Sequence, residues 1–131
     1  MKKLNPKEIN TTALAYLGDA VYEIQIRKHL METGQFNADK LHRMAIKFVC
    51  ADGQALAVKQ MMTDFLTEDE VKIVKRARNH KSISKPRGSS PVIYKLATAF
   101  EALLGYLYLD EKEERLQEVI AEAIRIIKVG E

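Results

Sequence analysis

TTALAYLGDAVYEIQIRKHL, residues 11–30, sets a charged residue, Asp19, directly after Gly18 in an otherwise apolar stretch. Leu14, Leu17, Val21, Ile24 and Leu30 recur at helical spacing, which predicts a helix capped by Asn10 or Thr11 and running to about Leu30. A glycine inside a helix costs roughly 1 kcal/mol relative to alanine, and aspartate is only a modest helix former. The pair therefore needs a reason. Either it caps something, or the carboxylate is needed where it stands.

The same oddity recurs further along. In YKLATAFEALLGYLYLD, residues 94–110, Glu101 is the lone acid of a helix predicted to end at Leu109, and Gly105 follows one turn later. Positions 98, 101, 105 and 108 share one face of that helix, as do 12, 15, 19, 22 and 23 of the first. A buried carboxylate is expensive unless it is paired, neutralised or bound to a metal. One account lets each acid reach solvent at a helix edge or bond to a neighbouring helix. The other crosses the two helices so that Asp19 and Glu101 share a hard divalent cation such as Mg²⁺, which takes oxygen ligands and keeps waters for phosphate oxygens. The spacing alone leaves both open, and Gly18 and Gly105 are read as allowances for close helix packing.

Outward from these segments the pattern stays helical. METGQFN, residues 31–37, ends the first helix at Gly34, and a second is predicted from about Asn37 to Met62, with Gly53 as its weak point. TEDE, residues 67–70, is a capping box that starts a third helix ending near Asn79. Ser90 and Pro91 form an N-cap and first-position pair for the fourth. A last amphipathic helix is predicted over about Glu111 to Val129. No run alternates as a strand does, so residues 1–131 read as a single all-α domain.

Composition narrows the function. At 131 residues, with 47% hydrophobic and 30% charged residues, the chain has the balance of a folded domain. Its apolar runs are interrupted short of the ~20 residues of a membrane span, and no apolar core follows the lysines of MKKLNPKEIN as a signal peptide requires. A soluble, cytoplasmic protein with no membrane partner is expected. The single Cys50 makes no internal disulfide, and three scattered histidines make no zinc pattern.

Net charge is only +3, yet Lys72, Lys75, Arg76, Arg78, Lys81, Lys85, Arg87 and Lys95 fall in one acid-free segment. The remainder carries 13 basic against 18 acidic residues. Such segregation suits a polyanion. Arg76, Arg78, Asn79, Lys81, Lys85 and Arg87 are the residues expected to contact nucleic acid. The apolar excess that includes Tyr16, Val21, Tyr22, Ile24, Ile26, Phe36, Phe48 and Val49 is large for one small core, which places part of it in a subunit interface.

LAYLGDAVYE (14–23) resembles the ribonuclease III signature, LHRMAIKFVCA (41–51) resembles that family's second conserved helix, and ATAFEALLGYLYLD (97–110) is similar to its second catalytic segment. The likeness spans about residues 8–129. With ARNHKSISKPRGSSPVIYK (77–95) before the fourth helix, it points to members made of the catalytic domain without the double-stranded-RNA-binding domain. The resemblance implies an all-helical homodimer that uses Mg²⁺, with Mn²⁺ as a substitute, to hydrolyse double-stranded RNA to 5′-phosphate and 3′-hydroxyl ends. Asp19 and Glu101 fall on its metal-binding carboxylates. It further implies a role in maturation of large-subunit (23S) ribosomal RNA, with a ribosomal protein as an optional partner presenting the RNA.

The departures are specific. Where the signature has acids four and seven residues before its aspartate, this chain has Ala15 and Thr12, and three residues before Glu101 it has Thr98. ADGQALA (51–57) offers Asp52 only near the position of a further family glutamate. One Mg²⁺ per subunit is therefore expected rather than two. Thr98 is a candidate for positioning a water or an inert helix residue, and Glu23 for an accessory acid or an ion pair. A degenerate relative that binds RNA without cutting it, and a helical module that binds protein, remain the alternatives.

Overall fold

A computed structural model describes residues 3–80 and 90–130. A single 3-10 turn, Pro6–Glu8, precedes six helices: α1 (Thr11–Met31), α2 (Ala38–Val49), α3 (Ala51–Asp64), α4 (Glu68–Arg78), α5 (Pro91–Leu109) and α6 (Glu113–Val129). No strand occurs among the described residues.

α5 is the centre of the fold. Its side chains Ala99, Phe100, Ala102, Leu103 and Leu104 are fully buried, and α1, α3 and α4 pack around it. Tyr22 of α1 meets Phe100 edge-on, with ring centroids 4.9 Å apart, the geometry that aromatic quadrupoles favour. By length and composition α5 alone among the described helices would cross a membrane, with a mean hydropathy of 1.3. Lys95 and Glu101 interrupt its apolar residues. Helices packed on several sides explain its apolarity, because a helix surrounded by protein has few positions left for polar residues.

Local signals set most boundaries. Asn10 caps α1, its Oδ1 accepting from Ala13 N at 2.8 Å. Thr67 and Glu70 close the predicted capping box on α4, at 3.2 Å and 2.9 Å. Ser90 caps α5, with Pro91 in its first turn.

Two boundaries differ from expectation. The predicted Asn37–Met62 helix is two helices, and the break lies at Cys50, not at Gly53. Cys50 is extended (φ −69°, ψ 158°) and serves at once as C-cap of α2 and N-cap of α3. Gly53 sits in the first turn of α3, where an added Cβ would overlap the Lys47 carbonyl oxygen, so this glycine admits the sharp corner. The last helix begins at Glu113 instead of Glu111. Glu111 takes a left-handed φ of 58°, and its N–H donates to Tyr108 O at 3.2 Å while Lys112 N donates to Leu107 O at 3.0 Å. This pair of bonds is a Schellman closure of α5.

Candidate active site

α1 and α5 cross with their backbones in contact. A Cβ on Gly18 would overlap the Glu101 carbonyl oxygen and lie 2.9 Å from Gly105 N. A Cβ on Gly105 would overlap the Leu14 carbonyl oxygen and lie 3.2 Å from Gly18 N. No side chain fits at either position, and the obstacle is backbone that cannot rotate away. The two glycines noticed in sequence are one structural feature, a crossing point made from both sides.

That crossing brings Asp19 and Glu101 together. Asp19 is exposed and Glu101 half-buried, and their side chains are within hydrogen-bonding reach of each other. Burial, and then the hydrogen bond and charge of Asp19, push the Glu101 carboxyl up to about 9, with the more distant charge of Glu23 adding to the rise. A hydrogen bond from Gln54 opposes them. Near neutral pH Glu101 therefore keeps its proton, because burial and the neighbouring carboxylate both disfavour its charge. A divalent cation would replace that proton and satisfy both groups. Among the described residues no group of three or more His, Cys, Asp and Glu side chains is arranged to hold a metal. Two carboxylates fit Mg²⁺ nonetheless, since it is held by one or two of them together with waters and substrate phosphates.

The neighbours divide. Glu23 faces an ion pair with Arg27, 3.4 Å away and one turn along α1. Thr98 donates its hydroxyl proton to Tyr94 O at 2.9 Å within α5. At the positions where the signature carries acids, Ala15 is buried and Thr12 bonds to Asn10 Oδ1 at 2.6 Å. Asp52 is exposed on the first turn of α3. The polar side chain that α3 does bring to Glu101 is Gln54, only 3% exposed. Sequence reasoning missed it. The one available signal was an uncharged polar residue between Gly53 and Ala55 on an otherwise apolar face.

Of the expected nucleic-acid contacts, Arg76, Arg78 and Asn79 stand at the C-terminal end of α4. Arg76 Nη2 donates to Ile9 O at 3.3 Å, Arg78 Nε donates to Asn79 Oδ1 at 3.3 Å, and Asn79 N–H closes the helix onto Lys75 O at 2.9 Å. Lys81, Lys85 and Arg87 lie outside the described residues. The proposed interface residues also split: Val21, Tyr22, Ile26 and Phe48 belong to the core, whereas Tyr16 (84% exposed), Ile24 and Phe36 stand in solvent.

A helical fold that closes two carboxylates over a glycine crossing defines a class of site, an acidic pair presented from two crossing helices. Comparison with known proteins makes the class specific. Residues 12–112 match the Ribonuclease III domain family, and the chain belongs to that family of endoribonucleases. It is 45% identical to Mini-ribonuclease 3 of Enterococcus faecalis, over 95% of this chain and 94% of the relative. It is 42% identical to Mini-ribonuclease 3 of Symbiobacterium thermophilum over the whole of both chains. The X-ray crystal structure of protein FN1578 from Fusobacterium nucleatum superposes with a TM-score of 0.78 at 37% identity, covering 90% of this chain and 93% of that one.

Proposed function

We propose that this chain, acting as one catalytic domain over residues 1–131, is a Mg²⁺-dependent endoribonuclease that cuts double-stranded RNA through Asp19 and Glu101. The observation that carries the proposal is the closed carboxylate pair at the α1–α5 crossing, in a chain of the ribonuclease III family. The relatives named Mini-ribonuclease 3, matched over nearly their whole length, support a substrate of the kind the resemblance implies, a large-subunit (23S) ribosomal RNA precursor in the cytoplasm.

The bound cation, Mg²⁺ or Mn²⁺, supplies positive charge that lowers the pKa of a water and offsets charge developing on the phosphate. The protein's part is positional. Asp19, on the solvent side, and Glu101, half-buried behind it, would hold the cation from two rigid helices, Glu101 releasing its proton to solvent. Water attacks phosphorus and loses a proton to solvent, and the bond from phosphorus to the 3′-oxygen breaks as that oxygen takes up a proton from solvent, giving 5′-phosphate and 3′-hydroxyl ends. Arg76, Arg78 and Asn79, with Lys81, Lys85 and Arg87, hold the duplex through phosphates and 2′-hydroxyls, the features that A-form RNA presents to side chains.

A homodimer is the proposed working form, with each site cutting one strand. Tyr16 and Ile24 project from α1 into solvent, and a subunit contact would cover such large apolar groups. A ribosomal protein presenting the RNA is compatible with this arrangement. The test is to incubate the protein with a structured 23S precursor and map the product ends. Discrete cuts whose products carry 5′-phosphates are expected; intact RNA, or 5′-hydroxyl ends, would overturn the proposal.

A further inference from the structure

The corner between α2 and α3 is held by three side chains that each take one carbonyl at the C-terminal end of α2. Cys50 Sγ lies 3.7 Å from Lys47 O, Tyr22 Oη donates to Phe48 O at 2.9 Å, and Gln54 Nε2 donates to Val49 O at 3.1 Å. Helix ends leave such carbonyls without intrahelical partners, a need that the Tyr22 and Gln54 bonds meet for Phe48 and Val49. Gln54 alone of the three also comes close to the carboxylate pair, where its amide favours the charged form of Glu101.

A primary amide carries two N–H donors on one planar group. With one donor committed to Val49 O, the plane of the Gln54 amide is fixed, which leaves its second donor in a set direction for Glu101. Gln54 is itself almost wholly buried, so it has little freedom to turn. The Glu101 carboxylate thus has a fixed neutral partner from α3 and faces Asp19 of α1.

Resting on the two-carboxylate reading of the site, we propose that Gln54 is a positioning residue that orients Glu101 for the cation and ties the active site to the α2–α3 corner. An uncharged amide suits the task. A third carboxylate there would add repulsion beside Asp19 and Glu101, and an apolar side chain would leave Val49 O without the Gln54 donor and Glu101 free to rotate. Outer partners of metal-binding carboxylates typically change metal affinity by 10–100-fold when removed.

The test measures Mn²⁺ binding to the RNA-free protein by electron paramagnetic resonance, alongside cleavage as a function of Mg²⁺ concentration. Gln54→Leu keeps the volume and removes both donors. It is expected to weaken Mn²⁺ binding about 10-fold and to shift the Mg²⁺ requirement for cleavage upward by a similar factor. Gln54→Asn keeps an amide too short to span both partners and is expected to lose affinity in the same sense, so it carries the test if the leucine variant does not fold. Thermal melting monitors folding for both. If a folded variant binds Mn²⁺ as wild type does, Gln54 only holds the corner and the proposal fails. If wild type itself neither binds Mn²⁺ nor cleaves, the reading of the carboxylate pair fails instead.

Discussion

Gly18 and the Glu101 carbonyl are in such close contact that the Cβ of an alanine would occupy the oxygen's position. The same crossing that forbids a side chain at residue 18 delivers the carboxylate of residue 19 to that of residue 101. Packing and chemistry are thus one constraint. Gly18→Ala must push α1 away from α5, at a cost of about 3 kcal/mol, the upper part of the usual range for overpacking. Urea denaturation should show that loss, and Mg²⁺-dependent cleavage should fall with it. An unchanged unfolding midpoint would show that the crossing relaxes freely.

Titration of Glu101 follows first from its burial. Glu101 has a folded pKa of about 9, raised well above the ordinary value, so the folded protein binds this proton where the unfolded chain has released it. The resulting stability is fully present below the ordinary carboxylate range and is lost as pH rises through about 9. In EDTA the unfolding midpoint should therefore decline between pH 5 and pH 9 by more in wild type than in Glu101→Gln. Mg²⁺ should offset the decline, because cation binding displaces the proton. Parallel profiles for the two proteins in EDTA would contradict a proton held on Glu101.

Glu70 behaves in the opposite sense. Burial disfavours its charge, but hydrogen bonds from Arg115 and from Thr67 outweigh burial and hold the carboxyl below its usual range. Arg115 grips it with Nε at 2.9 Å and Nη2 at 2.8 Å, and stacks over the Phe65 ring at 4.6 Å. A depressed pKa contributes stability above the unfolded value that disappears as pH falls through the folded one. Glu70→Gln should cost about 2 kcal/mol at pH 7, as charged hydrogen bonds do, and much less at pH 3. Chemical denaturation at the two pH values measures the difference; an equal cost at both would exclude the ionic contribution.

The legibility of this chain was uneven for physical reasons. Caps are local, so Asn10, the Thr67–Glu70 box and Ser90–Pro91 placed three helix starts from sequence. Gly18 and Gly105 were readable as close-packing residues because nothing else explains glycine on an apolar helix face. The corner at Cys50 was not readable. It depends on Tyr22, 26 residues in sequence from the Phe48 carbonyl it bonds, and its glycine points to the break without lying at it. Gln54 was hidden for the same reason, since its partners Val49 and Glu101 meet only in the folded chain. The apolar excess likewise split into Tyr22 and Phe48 inside and Tyr16 and Phe36 outside, a division that helical spacing alone does not make.

Self-association should depend on that outer set. With Tyr16 84% exposed and Ile24 65% exposed, the double variant Tyr16→Glu, Ile24→Glu removes apolar surface and adds repulsion between like charges across a two-fold contact. Sedimentation velocity should find wild type at twice the monomer mass and the variant at the monomer mass. A monomeric wild type, or a variant that still dimerises, would move the interface elsewhere or remove it.

The central claim is that Asp19 and Glu101 jointly hold the cation on which cleavage depends. Its most direct measurement compares cutting of a structured 23S precursor by wild type, Asp19→Asn and Glu101→Gln, each with Mg²⁺ and with EDTA. Cleavage should require Mg²⁺ in wild type and drop by at least about 100-fold in either variant, more than loss of an outer partner brings, while duplex RNA is still bound. Cleavage in EDTA, or a Glu101→Gln enzyme as active as wild type, would contradict it.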